Sequence, residues 1–168
     1  ADDTLVIVYS DHGELMFRHG IFFDHHGLYD PNIHVPLIAR WPGHIDPGTE
    51  VEQLLTQVNL APTMLEAAEA HIPDAMEGES ALDLLTEGID RTLHEFLVTQ
   101  ECTWQMKWAI RTDRWKYIKA REEDLYGSPM AELYDLDADP GEFDNVARMR
   151  PDVASQLDTK LEAWVEYM

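Results

Sequence analysis

The sequence predicts an α/β chain. The end of a mixed or parallel sheet with its covering helix occupies residues 1–90, and a small antiparallel sheet packed on a carboxyl-terminal helix occupies 91–168. Three observations predict it. Leu5-Val-Ile-Val-Tyr9 is a continuous apolar run rich in β-branched residues, the pattern of a strand buried on both faces. Phe96–Glu101, Lys107–Thr112 and Trp115–Ala120 are short, alternating and aromatic, as in an antiparallel meander. Finally, Val153, Leu157, Leu161, Trp164 and Met168 recur at helical spacing after Pro151.

In chain order, the first strand is reached within four residues, so the chain is expected to be the carboxyl-terminal piece of something longer; a small domain that begins on its first strand is the alternative. Ser10 to Asn32 is punctuated by glycine and keeps no sustained period, which marks a long functional loop. Ile33–Ala39 reads as a second short strand ended by Trp41-Pro-Gly43, and Gly48–Val58 is strand-like. Asn59 is placed to cap a helix through His71, with Pro62 in its first turn, where a missing N–H costs least. Ile72–Glu79 is a connection and Leu82–Leu85 a helical turn. Thr112-Asp-Arg114 turns between the second and third meander strands, and Glu132-Leu-Tyr-Asp135 adds a fourth. The terminal helix is expected to cover one face of this sheet.

Composition sets outer bounds. Twelve Lys plus Arg against 33 Asp plus Glu give a formal charge of −21, the wrong sign for nucleic acid or an anionic membrane surface. A hydrophobic fraction of 45% suits a packed protein rather than a charged disordered chain. One cysteine, Cys102, excludes an internal disulfide framework and a multi-cysteine zinc site; its surroundings suggest a buried strand position. The longest apolar run is too short to span a bilayer.

Charge and chemistry are separated along the chain. Five of the eight histidines, His12, His19, His25, His26 and His34, lie in the first 34 residues, and residues 1–40 carry only six acids and two bases. The sharpest feature is Ser10-Asp-His-Gly13 directly after the first strand. Ligands of open α/β sheets gather at the carboxyl ends of strands, and Asp11 with His12 presents a carboxylate oxygen and an imidazole nitrogen to a metal. Repeated imidazoles beside such a metal suit an anionic ester, because histidine alone titrates near neutrality.

These residues carry a family resemblance. Asp3 through Gly13, His19-Gly20, His25-His-Gly-Leu-Tyr-Asp30, His34-Val-Pro-Leu-Ile38 and Trp41-Pro-Gly43 resemble the second half of a type I sulfatase of the alkaline phosphatase superfamily. The likeness continues through Val58–Thr63, Ala109–Ile118 and Glu132–Glu142 with Asn145, so it covers essentially the whole chain. It implies cleavage of a sulfate ester, with Asp11 and His12 as two ligands of a divalent metal. Calcium is the family's usual ion, with manganese or zinc as alternatives because one donor is nitrogen. His25 stands in the place of a lysine that touches sulfate in many members, and His26 and His19 are further candidates for substrate contact or for a second metal.

The chain departs from the family in lacking Cys/Ser-x-Pro-x-Arg, the motif that yields the formylglycine nucleophile, and two further metal aspartates. Cys102 lies in Glu-Cys-Thr-Trp-Gln and cannot supply it. The resemblance therefore implies a nucleophile outside these 168 residues and no turnover by them alone. Alternatives are a phosphonate or phosphate ester hydrolase of the same superfamily, or a non-catalytic metal-binding or assembly module. Self-association through the apolar flanks of the first strand is also expected. Asp135-x-Asp137-x-Asp139 imitates a calcium loop, but the sixth and twelfth places hold Pro140 and Val146, and an acidic turn is the better reading. Trp104, Trp108 and Trp115 are expected in the meander core, with one of them free to face substrate.

Overall fold

The computed structural model describes residues 3–21, 24–123 and 127–168. The chain forms two units: Ala1–Tyr9 with Pro36–Glu95, and Ser10–Val35 with Phe96–Met168. The histidine-bearing loop groups with the second unit, because its apolar side chains pack on the meander.

In the first unit, β1 (Val6–Tyr9) pairs antiparallel with β2 (Leu37–Arg40), Val6 opposite Arg40 and Tyr9 opposite Leu37. The sequence suggested burial on both faces of β1. Instead Val6, Val8, Tyr9, Leu37 and Ile38 are all exposed, since among the described residues this sheet has two strands. The expected strand over Gly48–Val58 is not formed. Its end is taken up by a capping box: the Asn59 side chain accepts the Thr56 N–H (2.9 Å) and closes a 3₁₀ turn over Gln57–Asn59. Asn59 thus caps that turn rather than the following helix, and its amide also donates to the Glu79 carbonyl (2.9 Å). A Cβ on Gly78 would lie 1.9 Å from the Val58 carbonyl oxygen, so only glycine allows this approach.

Helix α1 (Leu60–Ala67) is shorter than the helix expected through His71: Glu69 follows it with a left-handed φ of 52°. Thr63 Oγ1 donates to the Asn59 carbonyl (2.6 Å) and accepts the Ala81 N–H (2.9 Å), which ties α1 to the segment entering a further short helix over Leu82–Thr86.

The second unit is a meander of β3 (Leu97–Glu101), β4 (Lys107–Arg111), β5 (Trp115–Ala120) and β6 (Ala131–Asp135), antiparallel and in sequence order. Strand alternation gives it two apolar faces. Ile110, Tyr117 and Leu133 stand in register and pack with Leu157 and Leu161 of the terminal helix, Pro151–Tyr167. Ala109 and Ile118 are opposite one another on the other face and pack with Tyr134, Leu136 and the loop residues Leu15, Leu28 and Tyr29. The sheet is therefore sandwiched between the terminal helix and the histidine loop. Within that loop, Asp30–Ile33 forms a helical turn with Pro31 in its first turn, where a strand beginning at Ile33 was expected.

Candidate metal and oxyanion site

Backbone contacts inside the loop bring distant residues together. Gly13 donates its N–H to the Asn32 carbonyl (2.7 Å), and a Cβ there would lie 2.0 Å from the Pro31 carbonyl oxygen. Leu15 N–H reaches the Asp24 carbonyl (2.9 Å), and the buried Asn32 amide donates to the carbonyls of His25 and Gly27. The loop thus folds back on itself and stacks the His12 ring on the His25 ring, centroids 4.3 Å apart.

Asp11 and His12 stand side by side at the surface, Asp11 Oδ2 3.9 Å from His12 Nε2. Asp11 Oδ1 accepts the His12 N–H (3.0 Å); that bond, with a smaller pull from the His12 ring, holds the carboxyl below the usual aspartate range. His12 Nδ1 donates to the Gly13 carbonyl (2.8 Å), since a carbonyl can only accept. In the neutral ring this leaves the Nε2 lone pair free on the side of the Asp11 carboxylate, the tautomer a metal requires. An ion about 2.0–2.5 Å from each donor bridges a 3.9 Å gap, so this pair fits a divalent cation.

His25 and His26 lie beside Asp24, whose Oδ1 is 3.8 Å from His25 Nδ1 and 3.2 Å from His26 Nε2. Trp104, expected in the meander core with the other two, is instead exposed, because it lies in the bend between β3 and β4, and it sits 5.3 Å from the His26 ring. Trp108 and Trp115 pack in the core beneath the terminal helix. His19 is placed differently: its ring stacks on Tyr29 (3.7 Å) and beyond it on Phe143 (5.7 Å). Burial there lowers its pKa, reinforced by the charges of Arg18 and Lys116. Glu14 and Asp24 were missed by the sequence reading, yet each falls within ligand reach of two histidines; their only signal was proximity to the His motifs.

Beneath the loop lies a network that sequence reasoning also missed. Lys116, fully buried on β5, pairs with Asp30 and with Glu142 Oε1 (2.6 Å), while Glu142 Oε2 accepts the Asp30 N–H (2.6 Å). Burial raises the Glu142 pKa against the opposing pull of Lys116. Next to it, Tyr29 and Tyr134 both donate to Glu132 Oε2, at 2.9 and 2.6 Å, and burial beside that carboxylate pushes both phenols far up. Residues of the Glu132–Glu142 motif therefore anchor the histidine loop to the sheet.

Two other expectations resolve. Cys102 is exposed, because β3 ends at Glu101 one residue before it, so the buried strand position is corrected. The Asp135 carboxylate is held bidentately by Arg114 (2.9 and 2.7 Å) in an acidic turn, as the sequence suggested.

Solved structures that resemble this fold include proteins described as sulfatases and phosphonate monoester hydrolases. One, determined in complex with its substrate D-glucosamine-2-N,6-O-disulfate, superposes with a TM-score of 0.85 at 25% identity over 98% of this chain and 34% of that one. The phosphonate monoester hydrolase of Agrobacterium radiobacter gives 0.77 at 28% identity over 96% of this chain and 35% of that one. The class is thus the sulfatase-like hydrolases. More narrowly, residues 18–166 match the family model of the N-sulphoglucosamine sulphohydrolase carboxyl-terminal region, and the chain belongs to that family. Arylsulfatase K of Homo sapiens is 34% identical over 98% of this chain, and the chain spans 31% of that relative's length.

Proposed function

We propose that this chain carries the metal- and substrate-binding side of a sulfuric ester hydrolase. Asp11 and His12 are two ligands of a divalent cation, calcium in the first place with manganese or zinc as alternatives; His25, His26 and His19 are the candidate contacts for the sulfate group. One observation carries the reading: Asp11 Oδ2 and His12 Nε2 are exposed 3.9 Å apart, with the His12 tautomer fixed through Gly13. A bound cation supplies Lewis acidity that offsets charge on an ester oxygen. The imidazoles supply N–H donors to sulfate oxygens, and a protonated one can pass its proton to the leaving alcohol.

Formylglycine does not fit these residues. Cys102 is exposed in Glu-Cys-Thr-Trp-Gln, without the Pro and Arg that its conversion requires, and no step is assigned to it. The 168 residues alone are accordingly expected not to turn over sulfate esters. Titration calorimetry of the chain with Ca²⁺ tests the site: one saturable site is expected, weakened at least about tenfold in Asp11→Ala, since even groups that only orient ligands are worth that much. Equal affinity in the variant would remove Asp11 from the site.

A second reading, a phosphonate or phosphate ester hydrolase, is favoured by the 28% identity to the Agrobacterium radiobacter enzyme. Competition between a sulfonate and a phosphonate ester analogue for the calcium-loaded chain separates the two. Calcium binding without affinity for either anion would support a metal-binding module.

A further inference from the structure

We propose that Asp24, His25 and His26 form a second metal site, selective for a zinc-like transition ion, beside the Asp11–His12 pair. It does not depend on the reading of that pair, and with the ion bound His25 and His26 meet the sulfate group through the metal rather than directly. One ligand atom from each of the three residues lies within 4.8 Å of the others. Asp24 Oδ1 is 3.2 Å from His26 Nε2 and 3.8 Å from His25 Nδ1. Tetrahedral zinc with bonds of about 2.0–2.1 Å separates its donors by about 3.3–3.4 Å, so the observed spacings bracket the requirement. The donor set is two nitrogens and one oxygen, which suits zinc and its neighbours far better than calcium.

The surroundings are built rather than casual. Leu15 N–H holds the Asp24 carbonyl, Asp24 Oδ1 accepts the His25 N–H (2.8 Å), and Asn32 holds the carbonyls of His25 and Gly27. The backbones of Asp24 and His25, and of Gly27 directly after His26, are therefore held before any ion arrives, which lowers the ordering cost of binding. Asp24 and His26 side chains are only 23% and 24% exposed, and Trp104 flanks His26. His25, 51% exposed, leaves an open side where a fourth ligand, water or an anion, can enter. A cation held here puts fixed positive charge at the position where the family resemblance places a lysine. Anion binding would then not depend on protonating His25.

Without a metal, Asp24 is left to pair with the two imidazoles alone; that outcome and the neighbouring set His12, Glu14 and His25 are the competitors. The full chain is titrated with Zn²⁺ by calorimetry and with Co²⁺ by visible absorption, whose d–d bands report tetrahedral geometry. One equivalent of Zn²⁺ is expected to bind, with affinity retained in Asp11→Ala and in Glu14→Gln. It is expected to fall at least about tenfold in Asp24→Asn and in His26→Gln. Circular dichroism melts of each variant identify any that fail to fold, and the Asn and Gln forms keep hydrogen-bonding capacity to limit that. No saturable Zn²⁺ binding, or affinity lost in Glu14→Gln and unchanged in Asp24→Asn and His26→Gln, overturns the proposal. Loss of Ca²⁺ binding in Asp11→Ala with Zn²⁺ binding intact keeps the two sites distinguishable.

Discussion

His19 shows how one residue's surroundings fix its chemistry. It adopts a left-handed φ of 55° and lies flat on Tyr29, partly withdrawn from water. The folded state therefore favours the neutral ring: burial is the main cause, Arg18 and Lys116 add to it, and Asp139 with the Gly141 carbonyl opposes it. On acidification the unfolded chain takes up the proton first, near the ordinary histidine pKa of about 6.5. Stability contributed by the neutral His19 is thus full above that value, and it declines as pH falls from there toward the lowered folded pKa. The melting temperature is expected to drop through this window, and His19→Gln to flatten the drop; an unchanged profile in the variant would assign the acid sensitivity elsewhere. His94, lowered by burial as well, acts in the same direction. At this scale the site was half legible. Asp11, His12, His25 and His26 announce themselves by residue type and order. The stacking of His12 on His25 does not, because it depends on the approach of Gly13 to Pro31 and on the Asn32 side chain bridging two carbonyls.

Between elements, Lys116 couples the loop to the meander. Its ammonium on β5 is enclosed with the Asp30 and Glu142 carboxylates, and Arg111 approaches Asp30 at 3.8 Å. Removing one partner of a buried ion pair strands the others, at a typical cost of about 3–5 kcal/mol. Lys116→Met is expected to destabilise the chain by about that much in denaturant unfolding. Adding Glu142→Gln should recover part of the loss, because one stranded charge is then gone; a loss under about 1 kcal/mol would mean the network contributes little. The elements themselves were legible where periodicity and punctuation agree: β5 is found over Trp115–Ala120 as read, and Pro151 opens the terminal helix. Gly48–Val58 misled because alternation alone cannot supply a pairing partner, and the Thr56–Asn59 capping box organised its end instead. Lys116 was overlooked because its meaning comes from register. On β5 it lies two residues before Ile118, on the loop-facing side, whereas Tyr117 and Lys119 face the terminal helix.

For the molecule as a whole, two properties pull in opposite directions. Val8 and Ile38, paired across β1 and β2, are 58% and 62% exposed, with Val6, Tyr9 and Leu37 exposed around them. An apolar patch on a sheet that has two strands among the described residues favours pairing with another copy. A charge of −21 on every copy opposes it. Screening decides between them: the Debye length falls from about 30 Å at 0.01 M salt to about 8 Å at 0.15 M, so repulsion between copies weakens while apolar burial does not. Self-association is therefore expected to grow with ionic strength, the opposite of an assembly held by salt bridges. Sedimentation equilibrium from low to physiological salt should show a rising mean mass, and Val8→Lys with Ile38→Lys should hold the chain monomeric throughout. A clean monomer at high concentration across that salt range would show that the β1–β2 face does not drive association. A rise that persists in the double variant would place the contact on another surface.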